Sequence, residues 1–263
     1  MVDRLARHCR ARGETVGILC VDPTSPYTGG AILGDRIRMQ TLYTDPGVFI
    51  RSMATRGAMG GLARATRDAV DLLDAAGFDW VLVETVGVGQ DEVDVVKSVD
   101  SVVVVTVPGL GDDIQAIKAG LMEIADVFVI NKADREGVER TERDLEGMLG
   151  LGDHGVGDWM PPIVRTVASR DEGVERLLTE IERHREHLRA SGELAARRLS
   201  HLRLRVETQL KERIVAAADR VVGVERAVEQ GFAAGRDPYE VAERLFEGVL
   251  SGGRALAKEG TEE

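Results

Sequence analysis

The sequence predicts an α/β protein with a doubly wound, mainly parallel sheet, followed by a helical extension. Six short β-branched apolar runs are nearly continuous rather than alternating, as expected of strands that are covered on both faces. Helical patterns lie between these runs, which is typical of parallel strands joined by crossover helices. After about residue 190 the pattern is helical only. We therefore divide the 263 residues into an α/β domain, 1–190, and a helical extension, 191–263.

Each predicted element follows from a local pattern. A helical stretch at 62–77 ends at a glycine, and another helix begins near Asp171. In the extension, 193–218 has helical periodicity with alternating charge, and a further helix starts with Asp237 as N-cap before Pro238. The predicted strands lie in residues 14–21, 47–53, 78–85, 100–107, 126–131 and 161–169.

Composition excludes some classes of partner and location. With 34 basic and 45 acidic residues the formal charge is -11, which argues against nucleic acid or an anionic membrane as partner. The two cysteines, Cys9 and Cys20, fit a reduced compartment, and Cys20 is predicted to be a small core residue. No signal peptide is visible, and no apolar run approaches the roughly 18 residues of a membrane span. A cytoplasmic location is the prediction.

The clearest functional motif is NKAD, residues 131–134, directly after a buried run. Asp134 can accept hydrogen bonds from N1–H and N2–H₂ of guanine, Asn131 can reach the other edge of the purine, and the stem of Lys132 can lie over the ring. The segment TVAS, after the last predicted strand, could place the Ala168 backbone N–H against guanine O6. The alternative is a helix N-cap with Asp134 in an ordinary turn, but the preceding strand favours guanine recognition.

A second group of residues suits a magnesium–phosphate site. Glu84 leaves a predicted strand beside Gly87 and Gly89, so that a carboxylate and backbone N–H groups lie close together. Asp22 and Asp35 lie in a long loop with two prolines and three glycines, and loops of this length are usually functional. The alternatives are a plain glycine turn and a helix cap by Asp35.

Two histidines are set apart from these motifs. His184 and His187 lie three residues apart on a predicted charged helix. A metal site would need more ligands than this region offers, so a solvated helix face is predicted for both side chains.

The phosphate loop that normally accompanies NKxD is missing from the sequence. None of the five lysines stands in a G-x-x-x-x-G-K-[ST] context.

Taken together, the motifs resemble those of the MeaB/ArgK family, the methylmalonyl-CoA mutase-associated GTPases. The matching stretches are DPTSPYTGGAILGDRIRM, TRGAMGGLA, ETVGVGQDE, VPGLGDDIQAIKAG and NKAD, in family order, with DPYEVAERLFEGVL near the end. The resemblance implies GTP/GDP and Mg²⁺ as cofactors, and a homodimer joined by helical extensions. It also implies an adenosylcobalamin-dependent mutase as partner, either methylmalonyl-CoA mutase or a sister enzyme. Family members gate cofactor loading and protect that enzyme by binding and hydrolysing GTP.

The resemblance also implies a role for each candidate residue. The segment from Asp112 to Lys118 would relay the nucleotide state to the mutase. The remaining roles are guanine recognition (Asn131, Lys132, Asp134, Ala168), Mg²⁺ binding (Asp22, Asp35, Glu84), catalysis (Glu84, Gln90, Asp35) and γ-phosphate sensing (Gly87).

The resemblance implies, further, an N-terminal truncation. In the family the phosphate loop runs into a helix similar to VDRLARHCRARG, and here that helix follows Met1 directly. We expect that the loop and the strand before it are absent and that strands on either side lack hydrogen-bond partners. These 263 residues would then be inactive as a GTPase.

Two other classes stay open at this point. A non-hydrolysing dimeric interaction protein, or a gene fragment, would explain the helical extension and the absent loop. A metal-insertion GTPase of related architecture is less consistent with the sequence, because the cysteines and the five histidines are scattered.

Overall fold

The computed structural model describes residues 1–22, 39–54, 61–85, 99–109, 124–150, 155, 157–221 and 223–259, with side chains at all of these except 22, 54, 61–64 and 252–259. Two compact units are present, Met1–Ala196 and Arg197–Glu263. The predicted domain boundary at 190/191, and the role of the extension, stay predictions.

Every strand of the first unit overlaps one of the predicted runs. All pairings among these strands are parallel, as expected of an α/β fold. Among the described residues the strands form two sheets, with the orders β2-β1-β3 and β4-β5-β6. The predicted α/β class with parallel strands is confirmed. The strands are β1 Val16–Asp22, β2 Val48–Ala54, β3 Trp80–Thr85, β4 Val103–Thr106, β5 Val127–Asn131 and β6 Ile163–Thr166.

The helices also follow the sequence pattern closely. The predicted cap of the last helix is confirmed, because Asp237 Oδ1 accepts the N–H groups of Tyr239, at 2.8 Å, and Glu240, at 3.0 Å. A 3₁₀ turn, Ala168–Arg170, precedes the helix predicted near Asp171. The α-helices are α1 Val2–Ala11, α2 Gln40–Tyr43, α3 Gly61–Ala75, α4 Val138–Leu149, α5 Val174–Ser191, α6 Glu193–Val221, α7 Val224–Ala233 and α8 Pro238–Glu259.

One hydrophobic cluster joins the two sheets with α1 and α5. Each fully buried Val, Leu or Ile contributes about 1.5–3 kcal/mol relative to an exposed side chain. Cys20 is buried in this cluster, as predicted, and burial raises the pKa of the Cys9 thiol to about 12. The cluster includes Leu5, Ala6 and Cys9 of α1, Val16, Ile18 and Cys20 of β1, Val127 and Val129 of β5, and Leu177, Leu178 and Ile181 of α5.

The strands at the centre of each sheet are more deeply buried than β3 and β4. Among the described residues β3 pairs only with β1, and β4 only with β5. The side chains of β3 after Trp80 are half-buried, and Val105 of β4 is 46% exposed. Exposing the unpaired edge of an apolar strand to water is unfavourable, and natural proteins usually cover such an edge.

The prediction of a solvated face for His184 is wrong. Its ring is fully buried, with Nδ1 2.7 Å from Ser101 Oγ and Nε2 3.2 Å from Asp126 Oδ1. The indole of Trp159 lies 4.9 Å from this ring and 5.4 Å from that of His187, which is half-buried. Because these partners precede β4 and β5, the polar network closes the amino-terminal edge of the second sheet. Asp126 and Ser101 lie 58 and 83 positions before His184 in the sequence (184 − 126 and 184 − 101). Charge periodicity along α5 could not reveal partners at such distances.

Gly173 offers a test of the packing between β6 and α5. It has φ +74°, and an added Cβ would lie 2.2 Å from the Arg165 carbonyl oxygen, whereas at Gly192, with φ +81°, nothing lies within 4 Å. We expect Gly192→Ala to lower the free energy of unfolding by about 1–2 kcal/mol, because the left-handed backbone is strained for alanine. Gly173→Ala should cost at least about 1 kcal/mol more, since the clash adds to that strain. Urea unfolding of both variants measures this, and equal losses would contradict the close approach.

Candidate functional site

The two predicted guanine-recognition loops begin side by side. Strands β5 and β6 pair in parallel with Asn131 opposite Thr166. The carboxyl ends of parallel strands meet at one edge of a sheet, where ligands bind in this architecture. NKAD, after β5, and TVAS, which spans the end of β6, are therefore neighbours.

Asn131 joins these two loops directly. Its Oδ1 accepts the Ala168 backbone N–H at 3.2 Å and the Thr166 hydroxyl at 3.3 Å. In return, the Ala133 N–H donates to the Thr166 carbonyl at 3.0 Å. The Ala168 N–H, which the sequence places against guanine O6, is thus bonded to Asn131 in this structure.

Two residues with a left-handed backbone lie in NKAD and just after TVAS. Of the non-glycine residues that the structure describes, Lys132 and Asp171 have positive φ, at 57° and 63°. Such residues cost on the order of 1–3 kcal/mol each and persist where the surrounding contacts fix them, which is common at functional sites. Lys132 is exposed, so its stem is accessible to a flat ring.

Asp134 has a charged partner that sequence reasoning missed. Its Oδ2 lies 3.2 Å from Nη2 of Arg170, whose second amino group, Nη1, is 4.0 Å from Glu172. The side chains of Arg170 and Asp134 are 60% and 35% exposed, so the ion pair contributes at most about 1 kcal/mol to stability. The available signal was the position of Arg170, immediately after TVAS.

A cavity of about 270 Å³ lies beside the TVAS loop. Its volume is slightly below the ~300–1,000 Å³ typical of small-molecule sites. Glu84, at the carboxyl end of β3, and Ala168 were predicted from separate motifs, and both line it. The first turn of α1 lines it too, and the N-terminal end of a helix favours anions. The lining residues are Met1, Val2, Asp3, Arg4, Met39, Glu84, Ala168 and Ser169.

The predicted magnesium ligands are described only in part. Asp22 ends β1, whose register with β3 aligns Val21 with Thr85, so the backbones of Asp22 and Glu84 end at the same edge. Mg²⁺ prefers oxygen ligands, and the carboxylate of Glu84 is a ligand of this type. Within the described part of the chain no group of three or more His, Cys, Asp or Glu could hold a metal. Outside it lie the side chain of Asp22 and the residues Asp35, Gly87, Gln90, Asp112 and Lys118.

Two further side chains at this edge were not predicted, and both come from α1. Arg4 donates from Nη2 to the Ser169 carbonyl at 3.3 Å, and His8 Nε2 is 3.1 Å from each carboxylate oxygen of Asp171. The sequence separations of 165 and 163 residues exceed anything that local periodicity can reveal.

None of the helices in the described residues is both long enough and apolar enough to cross a lipid bilayer.

The parallel α/β architecture, with the predicted ligand loops at the carboxyl edge, matches the P-loop NTPase fold class. The sequence model of a family described as methylmalonyl Co-A mutase-associated GTPase MeaB matches residues 1–221. This chain belongs to that family of GTPases.

Individual relatives agree with this membership. A Pyrococcus abyssi protein whose name describes a GTPase is 50% identical over 265 residues, covering 97% of this chain and 81% of that protein. The GTPase ArgK of Escherichia coli is 40% identical over 185 residues, covering 69% of this chain and 56% of ArgK. The crystal structure of an LAO/AO transport system kinase matches with a TM-score of 0.68 at 25% identity, covering 94% of this chain and 76% of that one. Guanine-nucleotide binding is the property that this family implies.

Proposed function

We propose that this protein acts as a GTP-binding and GTP-hydrolysing chaperone that gates cofactor loading and protects an adenosylcobalamin-dependent acyl-CoA mutase. The observation that carries the proposal is the junction of the NKAD and TVAS loops through Asn131, within a family of mutase-associated GTPases. The mutase as partner rests on the family description. In this proposal the segment from Asp112 to Lys118 relays the nucleotide state to the mutase.

Guanine recognition is assigned to the two joined loops. Asp134 accepts N1–H and N2–H₂ of the base, a pair of donors that adenine does not offer. Lys132 would lie along the ring, and the Ala168 N–H, which donates to Asn131 Oδ1 in this structure, would turn to guanine O6 when the base is bound. The Asn131 bonds of 3.2 and 3.3 Å support a site whose two halves are arranged before the nucleotide arrives.

Phosphate and Mg²⁺ are assigned to the neighbouring loops of the first sheet. Asp22, Asp35 and Glu84 would hold Mg²⁺, which neutralises charge on the phosphates when it is bound. Gly87 would sense the γ-phosphate through its backbone N–H, and Gln90 belongs to the same switch. The support is the position of Glu84 on a cavity that also receives the first turn of α1.

Hydrolysis requires a phosphate loop that these 263 residues do not contain. That loop supplies a lysine and a series of backbone N–H groups, which bind the β- and γ-phosphates. Among the described residues β3 and β4 each have one edge without a paired strand, and Val105 of β4 is 46% exposed. We infer that the 263 residues alone hydrolyse GTP poorly and bind it weakly.

The second unit supports a homodimer. Four apolar side chains on α6, each more than half exposed, follow one another at intervals of three, four and four residues and so lie on one face of the helix. An exposed apolar stripe of this kind marks an interaction surface. Phe232 and Tyr239 are also 88% and 87% exposed. The stripe consists of Leu199, Leu202, Val206 and Leu210.

A non-hydrolysing dimeric interaction protein is the second candidate. The α6 stripe and the absent phosphate loop favour it for the 263 residues taken alone. A metal-insertion GTPase has less support, because Cys9 and Cys20 are buried in the core. We call extended protein an engineered chain in which a G-x-x-x-x-G-K-[ST] loop and a strand that leads into it are added before Met1. Its GTP turnover separates the first two candidates.

The first functional prediction concerns base selectivity. The extended protein should bind GTP in preference to ATP, and Asp134→Ala should abolish this preference, because a lost matched polar pair can cost ~10⁴-fold in discrimination. Asp144→Ala removes a carboxylate on α4 whose partner, Arg140, is 4.0 Å away, and should leave selectivity unchanged. Calorimetric titration measures all three proteins. Equal affinities for GTP and ATP in the unsubstituted extended protein would overturn guanine recognition.

The second concerns turnover. Residues 1–263 should show no appreciable GTP hydrolysis, whereas the extended protein should hydrolyse GTP, because only the latter has the N–H groups and lysine that stabilise charge on the γ-phosphate. Single-turnover assays with equal amounts of both proteins make the comparison. Comparable rates would place the phosphate site elsewhere.

The third concerns oligomeric state. The extended protein should be a dimer at micromolar concentration, and the double substitution Leu202→Asp/Val206→Asp should produce a monomer by placing charges on the α6 stripe. Lys211→Glu, an exposed position off the stripe, serves as the matched control. Light scattering that showed a monomer without substitution, or a dimer with the two aspartates, would reject this interface.

A further inference from the structure

The loop that follows β6 is internally closed. Val167 and Glu172 exchange backbone hydrogen bonds of 3.0 and 3.3 Å, and the 3₁₀ turn lies between them. We call residues 167–172 the β6 loop. These two hydrogen bonds hold the ends of the loop together.

Helix α1 holds this loop at two points. Arg4 and His8, four residues apart on one face of the helix, contact the Ser169 carbonyl and both oxygens of Asp171. The Asp171 backbone has φ 63°, a strained conformation for an aspartate that these contacts help to maintain.

Helix α1 is itself fixed from other directions. Arg10 makes two hydrogen bonds of 3.0 Å to Asp45, and this guanidinium lowers the pKa of the Asp45 carboxyl. Arg12 lies 2.8 Å from Glu182 on α5. The helix is therefore a firm support for the β6 loop.

From the other side of the loop, Arg170 reaches Asp134. The ion pair uses Oδ2, and each carboxylate oxygen has two lone pairs, so both oxygens keep an acceptor position for a base. Arg170 therefore restricts the rotation of Asp134 without occupying all of its acceptor positions.

We propose that His8 and Arg170 are positioning residues for guanine recognition: His8 fixes the β6 loop on α1, and Arg170 fixes the Asp134 carboxylate toward the base. This inference rests on the proposed guanine site. Two parallel hydrogen bonds to one carboxylate depend on its orientation, so an Asp134 that rotates can keep the bond to N1–H and lose the second bond, to the N2 amino group. The first turn of α1 lines the cavity together with Glu84. Helix α1 therefore contacts both that cavity and the β6 loop, from which Arg170 reaches Asp134.

The test compares GDP with IDP on the extended protein. The hypoxanthine of IDP keeps N1–H and lacks the N2 amino group, so the ratio of its Kd to that of GDP isolates one of the two bonds to Asp134. Arg170→Ala should lower this ratio by about 3- to 10-fold, and Arg170→Lys should restore part of it. Arg176→Ala, an exposed arginine on α5, is the matched control and should leave the ratio unchanged. A purely structural role of Arg170 would weaken GDP and IDP equally.

A second measurement needs no nucleotide and uses the 263-residue chain. His8→Ala should accelerate amide hydrogen exchange of the β6 loop, while Arg170→Ala should not, because Arg170 extends from the loop toward Asp134.

The possible results separate the inference from the proposed function. The guanine site is supported if the unsubstituted protein prefers GDP to ADP and Asp134→Ala removes that preference. If Arg170→Ala then leaves the GDP/IDP ratio unchanged, the role of Arg170 is refuted and the guanine site still stands. Unchanged exchange in His8→Ala refutes the role of His8. If the unsubstituted protein has no preference for GDP over ADP, both the guanine site and this inference fail.

Discussion

The pairing of β5 with β6, completed by the side chain of Asn131, is the interaction on which the rest of the site depends. It places the ends of two strands in register and then joins the loops that leave them, through bonds of 3.2 Å to the Ala168 N–H and 3.3 Å from the Thr166 hydroxyl. Each loop contains a left-handed non-glycine residue, a conformation that the connected loops can maintain and an isolated turn would lose. Removing the Asn131 side chain would take away two of the hydrogen bonds that join the two halves of the proposed base site.

Different contacts close the opposite, amino-terminal edge of the second sheet. His184, fully buried between Ser101 and Asp126, ties α5 to the segments that enter β4 and β5. Nδ1 is within hydrogen-bond distance of the Ser101 hydroxyl, whereas Nε2 lies 3.2 Å from Asp126 Oδ1 without forming a hydrogen bond to any described residue. A buried histidine thus contacts the segments at the amino-terminal edge of the second sheet. The predicted ligand loops lie at its carboxyl-terminal edge. In contrast to this buried histidine, apolar side chains of β3 and β4 are partly exposed.

Local patterns in the sequence predicted the strands and helices well, for physical reasons. Continuous β-branched runs such as 126–131 are required in a strand that is covered on both faces, and the Asp237 cap follows from a pattern only a few residues long. Residue types also indicated NKAD and Glu84 as candidates, since each motif suits the chemistry of one nucleotide group. Their joint position became visible only in the folded chain, where Glu84 and Ala168 line the same cavity.

What the sequence could not predict depends on contacts between distant positions. His184 was predicted to be solvated because its helix is charged, yet its partners come from the segments before β4 and β5. Arg170, Arg4 and His8 resemble ordinary surface residues until the fold brings them to Asp134 and the β6 loop. The roles of Asp35, Gly87 and Gln90 stay predictions because these residues lie outside the described part of the chain.

The joined-loop site is tested most directly by ¹H–¹⁵N NMR of the extended protein during titration with GDP and, separately, with ADP. With GDP we expect resonances of 131–134 and 168–171 to shift together with one affinity, since Asn131 connects the two loops. With ADP the same resonances should shift only at much higher concentration. Shifts confined to one of the two loops, or equal responses to GDP and ADP, would contradict a single guanine site formed by both.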